Sequence, residues 1–331
     1  MHDLPEELLE RVRKHSHYRE VDYDQLAQRF GFALVAERLA LQMDVYDKVA
    51  ARSRHGVKRW VRPVFRKGIL TSLYCSGQLG RARRMARDPL VVQREVYFER
   101  LPEAFDGYRI LHLSDFHFDY TEELPEIVAE AIRHLDFDVC VLTGDFRGET
   151  YGPYEESLRS LERTREALGP EVYAVLGNHD NLEIMLRFPD MGIHGLLNES
   201  VWLEKDGARI LLAGVDDPHY YKTHDFSSMR ADVNAADVAI LLAHSPEVYR
   251  QAAGEGFDFM LSGHTHGGQI CLPGGRPVIA HVKDTPREMV KGPWSYQRMQ
   301  GYTSTGVGTS TLDCRLNCRS EITLHILRKQ T

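Results

Sequence analysis

The sequence has few cysteines and no long apolar run. Five of its 331 residues are cysteine, an odd number at irregular spacing, which excludes a disulfide framework and fits a reducing compartment. Cys314 and Cys318 are close in sequence, but no second cysteine or histidine pair lies nearby to complete a zinc site. The longest weakly polar run, Gly68 to Leu79, is too short to cross a bilayer as a helix.

The chain also lacks the start that is typical of a secreted protein. Met1 is followed by charged, helix-forming sequence and not by a basic start and an apolar stretch, so we expect no signal peptide. The composition, 43% hydrophobic and 27% charged, is that of an ordinary globular protein of one to three domains. We therefore expect a cytoplasmic protein that is soluble or peripheral on the inner face of the membrane.

The charge is unevenly distributed along the chain. The formal net charge is −7, but residues 52–94 carry +11, with Asp88 as the one acidic residue, which leaves −18 for the remainder. Basic residues interleaved with aromatic and aliphatic ones are typical of segments that bind an anionic membrane surface. The predicted membrane contacts are Lys58, Arg59, Trp60, Arg62, Arg66 and Lys67.

Two other interpretations of this basic segment stay open. It can be a helical lobe that packs on the rest of the protein, with its charges solvated or paired with the acidic body. It can also bind nucleic acid, since phosphate-rich partners favour clustered lysine and arginine. Nucleic acid is not the expected partner, because the body is acidic and no recognised nucleic-acid module is present.

The pattern along the chain changes near residue 92. Residues 1–91 are predicted to form a helical, partly basic extension, and residues 92–331 alternate apolar strands with helices. DVCVLTGD is typical of a buried strand, and YEESLRSLERTREAL of a helix. This alternation predicts an α/β fold with substantial sheet.

Five of the apolar strands end in short polar signatures. These are SDFH, TGD, GNHD, AHS and GHTH, in that order. Because α/β folds place ligand-binding groups at the carboxyl ends of strands, we expect one site to be assembled from all five.

The first three signatures carry potential metal ligands. Asp115 and His117 alternate in an extended segment and can therefore face one ion. Asp145 follows a buried strand, where a helix cap is the ordinary alternative. In GNHD, Asn178 and His179 offer oxygen and nitrogen donors, and Asp180 can accept the other ring N–H of His179. The ordinary alternative for GNHD is a turn.

The last two signatures add histidines. His244 alone would be read as a core residue, whereas His264 and His266 lie between glycines, which let the backbone pack closely while both rings face a metal pair. The common order and placement of the five signatures favour one centre for divalent ions.

This order of motifs resembles the calcineurin-like metallophosphoesterases, over roughly residues 105–329. GHTHGGQICLP and the tail GVGTSTLDCRLNCRSEITLHIL are similar to the bacterial branch that includes the YkuE-type phosphodiesterases. That branch usually has two prolines before the final EIT, where this sequence has Arg319 and Ser320. The departure lies outside the predicted ligands.

The resemblance implies a β-sandwich of two mixed sheets flanked by helices, with the N-terminal helical extension added to it. It also implies two divalent metal ions (Mn, Fe or Zn, with Mn favoured) roughly 3.5–4 Å apart. The implied ligands are Asp115, His117 and His266 for the first ion and Asn178, His244 and His264 for the second, with Asp145 bridging them. His179 would face the leaving oxygen of the substrate, and Asp180 would orient it.

The implied activity is hydrolysis of a phosphate ester, of the phosphodiesterase type, by hydroxide that attacks phosphorus in line. The substrate would be a small phosphate ester or a lipid, the latter if the basic segment binds a membrane. One alternative is a UDP-2,3-diacylglucosamine pyrophosphatase of lipid A synthesis. Another is a nucleic-acid-directed enzyme or binder, and a third is a catalytically silent scaffold, although all seven ligands and His179 are present. The sequence does not indicate a protein partner.

Overall fold

The computed structural model describes residues 4–15, 21–54, 61–278 and 282–330, with the backbone alone for residues 50–54, 61–63 and 65. Helices fill the described part of the chain up to residue 87. They are α1 (Glu6–Arg13), α2 (Tyr23–Phe30), α3 (Phe32–Arg54), α4 (Val61–Cys75) and α5 (Leu79–Arg87). Asp22 caps α2 by accepting the backbone N–H of Gln25 at 3.1 Å.

Strands and helices alternate in the rest of the chain. In order, they are β1 (Leu90–Phe98), β2 (Arg109–Leu113), α6 (Leu124–Ile132), β3 (Val139–Leu142), α7 (Glu155–Arg165), β4 (Val172–Ala174), β5 (His194–Gly195), β6 (Glu199–Lys205), β7 (Ala208–Gly214), α8 (Arg230–Ala235), β8 (Ala239–Leu242), α9 (Tyr249–Glu255), β9 (Phe259–Ser262), β10 (Cys271–Leu272), β11 (Arg276–Pro277), β12 (Gly292–Tyr296), β13 (Met299–Thr303) and β14 (Glu321–Lys329).

Two six-stranded mixed sheets form the centre of the molecule. The first has the order β1-β14-β2-β3-β4-β5, in which β2 to β5 are parallel and β14 is antiparallel to β2. The second has the order β12-β13-β9-β8-β7-β6, with four parallel strands between antiparallel edges. The parallel strands at the centre of each sheet bring their carboxyl ends to one edge.

Side chains of the central strands alternate between two hydrophobic layers. In β3, Val139 and Val141 pack between the two sheets, while Cys140 and Leu142 pack against the helices on the outer face. The residues of β8 divide in the same way between the inner layer and helices α8 and α9. A strand covered on both faces has to be apolar at every position, which explains the unbroken apolar runs. The predicted architecture of two mixed sheets flanked by helices is confirmed.

The N-terminal helices pack against the sheet domain in two places. Leu26 and Leu39, from α2 and α3, belong to one buried cluster with Leu111 of β2. Helices α4 and α5 form a smaller cluster, in which Leu73 packs with Leu312 of the C-terminal tail. None of the helices in the described ranges combines the length and the apolar character needed to cross a membrane.

Candidate metal centre

Five loops converge on one edge of the two sheets, directly after strands β2, β3, β4, β8 and β9. Their backbone is unusual, because five of the predicted ligands have φ between 46° and 69°. These are Asp115, His117, Asp145, His264 and His266. Non-glycine residues rarely adopt this left-handed region, and such strain is concentrated at functional sites, where the surrounding structure holds it in place.

Close packing between the loops explains two of the glycines in the signatures. A Cβ atom on Gly263 would lie 2.3 Å from a carboxylate oxygen of Asp115, and one on Gly177 would lie 2.2 Å from a carboxylate oxygen of Asp145. No other residue fits at these two points, so the GNHD and GHTH signatures need glycine where their loops touch the aspartates.

One group of potential ligands contains Asp115, His117 and His266. The Nε2 atoms of the two histidines lie 3.0 Å apart, and Nε2 of His266 lies 3.4 Å from Oδ1 of Asp115. All three residues are buried, and one ligand atom from each lies within 4.8 Å of the others. The structure therefore brings these three residues together as a candidate metal group.

A second group contains Asp145, His244 and His264, with the same 4.8 Å limit between ligand atoms. Nε2 of His244 lies 3.2 Å from Nδ1 of His264 and 3.2 Å from Oδ2 of Asp145. The side-chain oxygen of Asn178 lies 3.1 Å from the same Nε2. Asp145 also approaches the first group, since its Oδ2 lies 3.5 Å from Nε2 of His117.

The hydrogen bonds behind the histidines fit a cation in front of them. Nδ1 of His117 lies 2.7 Å from the carbonyl oxygen of Arg147, and Nδ1 of His244 lies 2.7 Å from that of Thr143. A carbonyl only accepts, so Nδ1 of each ring donates and Nε2 is the nitrogen that faces the other ligands. Burial lowers the pKa of His117 to about 4, and burial, reinforced by His117, holds the pKa of His266 well below its ordinary value. Neutral imidazoles are the form that binds metals.

The carboxylates of the centre also need a positive charge nearby. Burial raises the pKa of Asp115 to about 6, with a further contribution from the charge of Asp145. Burial alone would lower the pKa of His244, but the charge of Asp145 outweighs it and raises that pKa to about 10. The buried negative charge thus favours a cation at this position, and the mixed oxygen and nitrogen donors suit divalent metals.

Asp180 has a different role from the one predicted. Its carboxylate accepts the backbone N–H groups of Asp145 and Gly177, each at 2.8 Å, and that of Phe146 at 2.9 Å. The ring of His179 instead has Nδ1 at 3.2 Å from the hydroxyl of Thr150. The expectation that Asp180 orients this ring is therefore wrong, because the turn directs the carboxylate inward, where it joins the GD loop to the GNHD loop.

His179 itself lies beside the first group. Its ring meets the ring of His117 edge-on, with 5.2 Å between centroids. Its backbone N–H donates to Oδ1 of Asp145 at 2.9 Å. The structure thus brings His179 to the edge of the first group.

Comparison with known proteins identifies the family. The model of the calcineurin-like phosphoesterase family matches residues 108–268, the segment that contains every predicted ligand. A metallophosphoesterase of Aquifex aeolicus is 30% identical over 234 residues, which cover 66% of this chain and 84% of that protein. The chain belongs to the calcineurin-like metallophosphoesterases.

Two further metallophosphoesterases extend the comparison. YkoQ of Bacillus subtilis is 29% identical over 225 residues, covering 65% of this chain and 82% of that protein. The phosphodiesterase YaeI of Escherichia coli is 28% identical over 232 residues, covering 66% of this chain and 81% of that protein. The chain is accordingly a metallophosphoesterase, a hydrolase of phosphoric esters, with two candidate groups for a pair of divalent ions.

Sequence reasoning missed a buried arginine beneath the metallophosphoesterase centre. Arg315 is fully buried and donates to the backbone carbonyls of His266 at 3.2 Å and Gly308 at 2.7 Å. A second nitrogen contact, at 3.2 Å, joins its guanidinium to Nδ1 of His266. A single arginine in the tail carries no signal in one sequence, and its role becomes visible when the tail folds under the GHTH loop.

A second missed residue comes from the N-terminal extension. Arg38 of α3 is fully buried, and it donates to Oδ2 of Asp216 at 3.1 Å and to the backbone carbonyl of Asp180 at 3.0 Å. Its guanidinium also stacks on the ring of Tyr221, 3.2 Å from the centroid. Helix α3 thereby supports both the GNHD loop and the loop that follows β7.

The Arg38→Met substitution should destabilise the metallophosphoesterase by about 3–5 kcal/mol, because it leaves the buried carboxylate of Asp216 unpaired. Urea unfolding, followed by circular dichroism, measures this change. The matched control is Arg133→Met, which removes an exposed arginine paired with Glu130 and should cost less than about 1 kcal/mol. A change below about 1 kcal/mol for Arg38→Met would contradict the structural role of this residue.

Proposed function

We propose that this chain hydrolyses phosphodiesters with two divalent metal ions. Asp115, His117 and His266 hold the first ion, Asn178, His244 and His264 hold the second, and Asp145 is shared. The observation that carries the proposal is the position of Asp145, whose Oδ2 lies 3.5 Å from Nε2 of His117 and 3.2 Å from Nε2 of His244. One carboxylate within reach of both groups is the arrangement that a two-metal site requires.

The ions, when bound, supply charge stabilisation on the phosphoryl oxygens and an activated water. The mixed oxygen and nitrogen donors suit manganese, iron or zinc, and manganese is the ion that we favour. The protein supplies positioning. Asp145 holds the backbone of His179, and the hydroxyl of Thr150 lies at Nδ1 of its ring. Nε2 of His179 is then the ring nitrogen that faces the leaving oxygen and gives it a proton.

The function is tested by a substrate screen of the purified protein with Mn²⁺. The substrates are bis(p-nitrophenyl) phosphate, cyclic nucleotides, UDP-2,3-diacylglucosamine and phospholipids. We expect metal-dependent cleavage of the aryl diester, abolished by EDTA and restored by Mn²⁺. Cleavage of UDP-2,3-diacylglucosamine alone would favour the pyrophosphatase alternative, and no cleavage of any substrate would favour a scaffold.

Asp145→Ala should remove most of the bound metal and abolish turnover, because one carboxylate serves both ions. Asp115→Ala is the matched comparison, since it removes a ligand of the first ion alone and should leave about half of the metal. Metal content per chain after gel filtration measures both. Two ions still bound to Asp145→Ala, together with normal turnover, would refute the shared-ligand assignment.

His179→Ala should keep both ions and lose about 10²–10⁴-fold in rate on diesters with a poor leaving group. With p-nitrophenolate, which leaves without a proton, the loss should be much smaller. Steady-state rates of the unmodified protein and the variant, measured with leaving groups of increasing pKa, test this dependence. An unchanged rate with the poorest leaving group would exclude the proton-donor role.

We propose further that the basic N-terminal segment brings the enzyme to an anionic membrane surface and so to a lipid-bearing phosphate ester. Lys58, Arg59 and Trp60 lie outside the described residues, and the side chain of Arg62 is likewise not described. Arg66 and Lys67 are exposed on α4. On the same helix, the exposed fractions of Val64 and Tyr74 are 64% and 73%, and exposed apolar groups beside cations support an interfacial surface.

Part of the same segment is committed to packing. Ile69, Leu70 and Leu73 contact the small cluster around Leu312. Arg87 pairs with Asp313 at 2.8 Å, so part of the positive charge of the basic segment is neutralised by the acidic body. The membrane proposal therefore rests on the exposed part of α4, and the packed-lobe alternative applies to its other face and to α5.

Liposome co-sedimentation tests the membrane proposal. Arg66→Gln/Lys67→Gln should weaken binding to anionic vesicles about 10- to 30-fold at low salt, since each cation near the surface contributes about 1 kcal/mol. Lys14→Gln/Lys48→Gln, which removes the same charge from exposed positions just after α1 and on α3, should leave binding unchanged. The proposal fails if the unmodified protein does not sediment with anionic vesicles, or if both double variants weaken binding equally.

A further inference from the structure

A histidine that was not among the predicted site residues lies against the second metal group. His219 follows β7 in the segment Asp216–Asp217–Pro218–His219, a sixth polar strand end. Its ring packs on the ring of His264, with 4.1 Å between centroids. Its side chain is 20% exposed, so it lines the centre and can still be reached from solvent.

The ring of His219 is held in one orientation. Its Nδ1 lies 2.6 Å from Oε2 of Glu247, whose side chain is 14% exposed. Glu247 is itself fixed, because it accepts the backbone N–H of Lys283 at 2.7 Å and the hydroxyl of Ser245 at 3.2 Å. A carboxylate that binds one ring nitrogen sets the direction of the other, which for His219 is Nε2.

The backbone that carries His219 is fixed as well. The carboxylate of Asp217 accepts the N–H groups of His219, Tyr220 and Tyr221 at 3.0, 2.7 and 2.9 Å. Tyr221 packs under Arg38 of the N-terminal extension. This degree of support is expected for a group that has to keep its position relative to a ligand and not for an ordinary surface loop.

His219 and His179 flank opposite groups of the centre. His179 lies against His117 of the first group, whereas His219 lies against His264 of the second. A phosphodiester has four oxygens on phosphorus: two unesterified, one that leaves and one that keeps its organic group. With the unesterified pair directed to the ions and the leaving oxygen to His179, the retained group is directed to the other side.

We infer that His219 is a specificity-determining residue that contacts the organic group retained on the phosphate after cleavage. This inference rests on the proposed phosphodiesterase function and adds to it a second contact surface for the substrate. The ring edge of His219 that carries Nε2 packs against the retained group, and Glu247 acts through His219 as a positioning residue.

A series of diesters separates the two flanking histidines. All members have p-nitrophenolate as the leaving group, while the retained group is methyl, phenyl or thymidine 5′-yl. His219→Ala should lower kcat/KM about 10- to 100-fold for the phenyl and thymidine esters and at most about threefold for the methyl ester. Glu247→Gln should lower kcat/KM for the same esters, but by a smaller factor. His179→Ala should change kcat/KM by the same small factor for all three diesters, because they share one leaving group.

A binding measurement supports the kinetics without turnover. Phenyl phosphate is the product that carries the retained group, and methyl phosphate is its small counterpart. Calorimetric titration of the Mn²⁺-loaded protein should show that His219→Ala weakens the binding of phenyl phosphate about 10-fold or more. The binding of methyl phosphate should weaken at most about threefold. His224→Ala, in the same loop and bonded to Gln251, is the matched control and should match the unmodified protein in both assays.

The possible outcomes are distinct. An equal loss for all three diesters, no loss for any, or a loss of bound metal in His219→Ala would overturn the role of His219 and leave the diesterase function standing. An unmodified protein that cleaves no diester would overturn the proposed function and this inference with it. A selective loss for the larger retained groups, in both kinetics and binding, would establish the contact.

Discussion

Negative charge that is buried at the carboxyl ends of the strands is the constraint on which the centre depends. Asp115, Asp145 and Asp180 are excluded from water, and the charge of Asp145 acts on both of the others. Burial raises the pKa of Asp115 to about 6, and burial together with Asp145 raises that of Asp180 to about 7. Carboxylates in such a place are stable only with protons or cations among them. Imidazoles supply the remaining donors, and those of His117 and His266 are neutral because burial lowers their pKa, so the arrangement is suited to metal ions.

The rest of the fold holds these groups together although the backbone of five of them is strained. Two sheets bring five strand ends to one edge, and glycines allow the loops to touch. Asp180 ties the GD loop to the GNHD loop through backbone amides, Arg315 lies beneath the GHTH loop, and Arg38 reaches in from the N-terminal extension. These contacts hold the ligands whose backbone is left-handed. They come from distant parts of the sequence, from Arg38 in the extension to Arg315 in the tail. The extension is accordingly part of the support of the centre, whatever else its basic surface binds.

The candidate ligands could be picked out in the sequence because each follows an apolar strand within a few residues. Short signatures such as GHTH need no distant contact to be recognised, whereas the left-handed backbone that directs five of these side chains could not be predicted from strand periodicity. The support of the centre could not be predicted in this way. Asp180 is adjacent to His179, and adjacency favoured a pairing that the turn does not allow. Arg38 has the spacing of an ordinary surface arginine on a helix until α3 packs on the loops. His219 follows a strand that was recognised, but its role depends on Glu247, which is 28 residues further along the chain.

Crystallography of the Mn²⁺-loaded protein, with anomalous scattering recorded at the manganese edge, tests the central claim most directly. We predict two anomalous peaks per chain, roughly 3.5–4 Å apart. One should lie among Asp115, His117 and His266 and the other among Asn178, His244 and His264, with the carboxylate of Asp145 in contact with both. A single peak, no peak, or two peaks that do not share Asp145 would contradict the account.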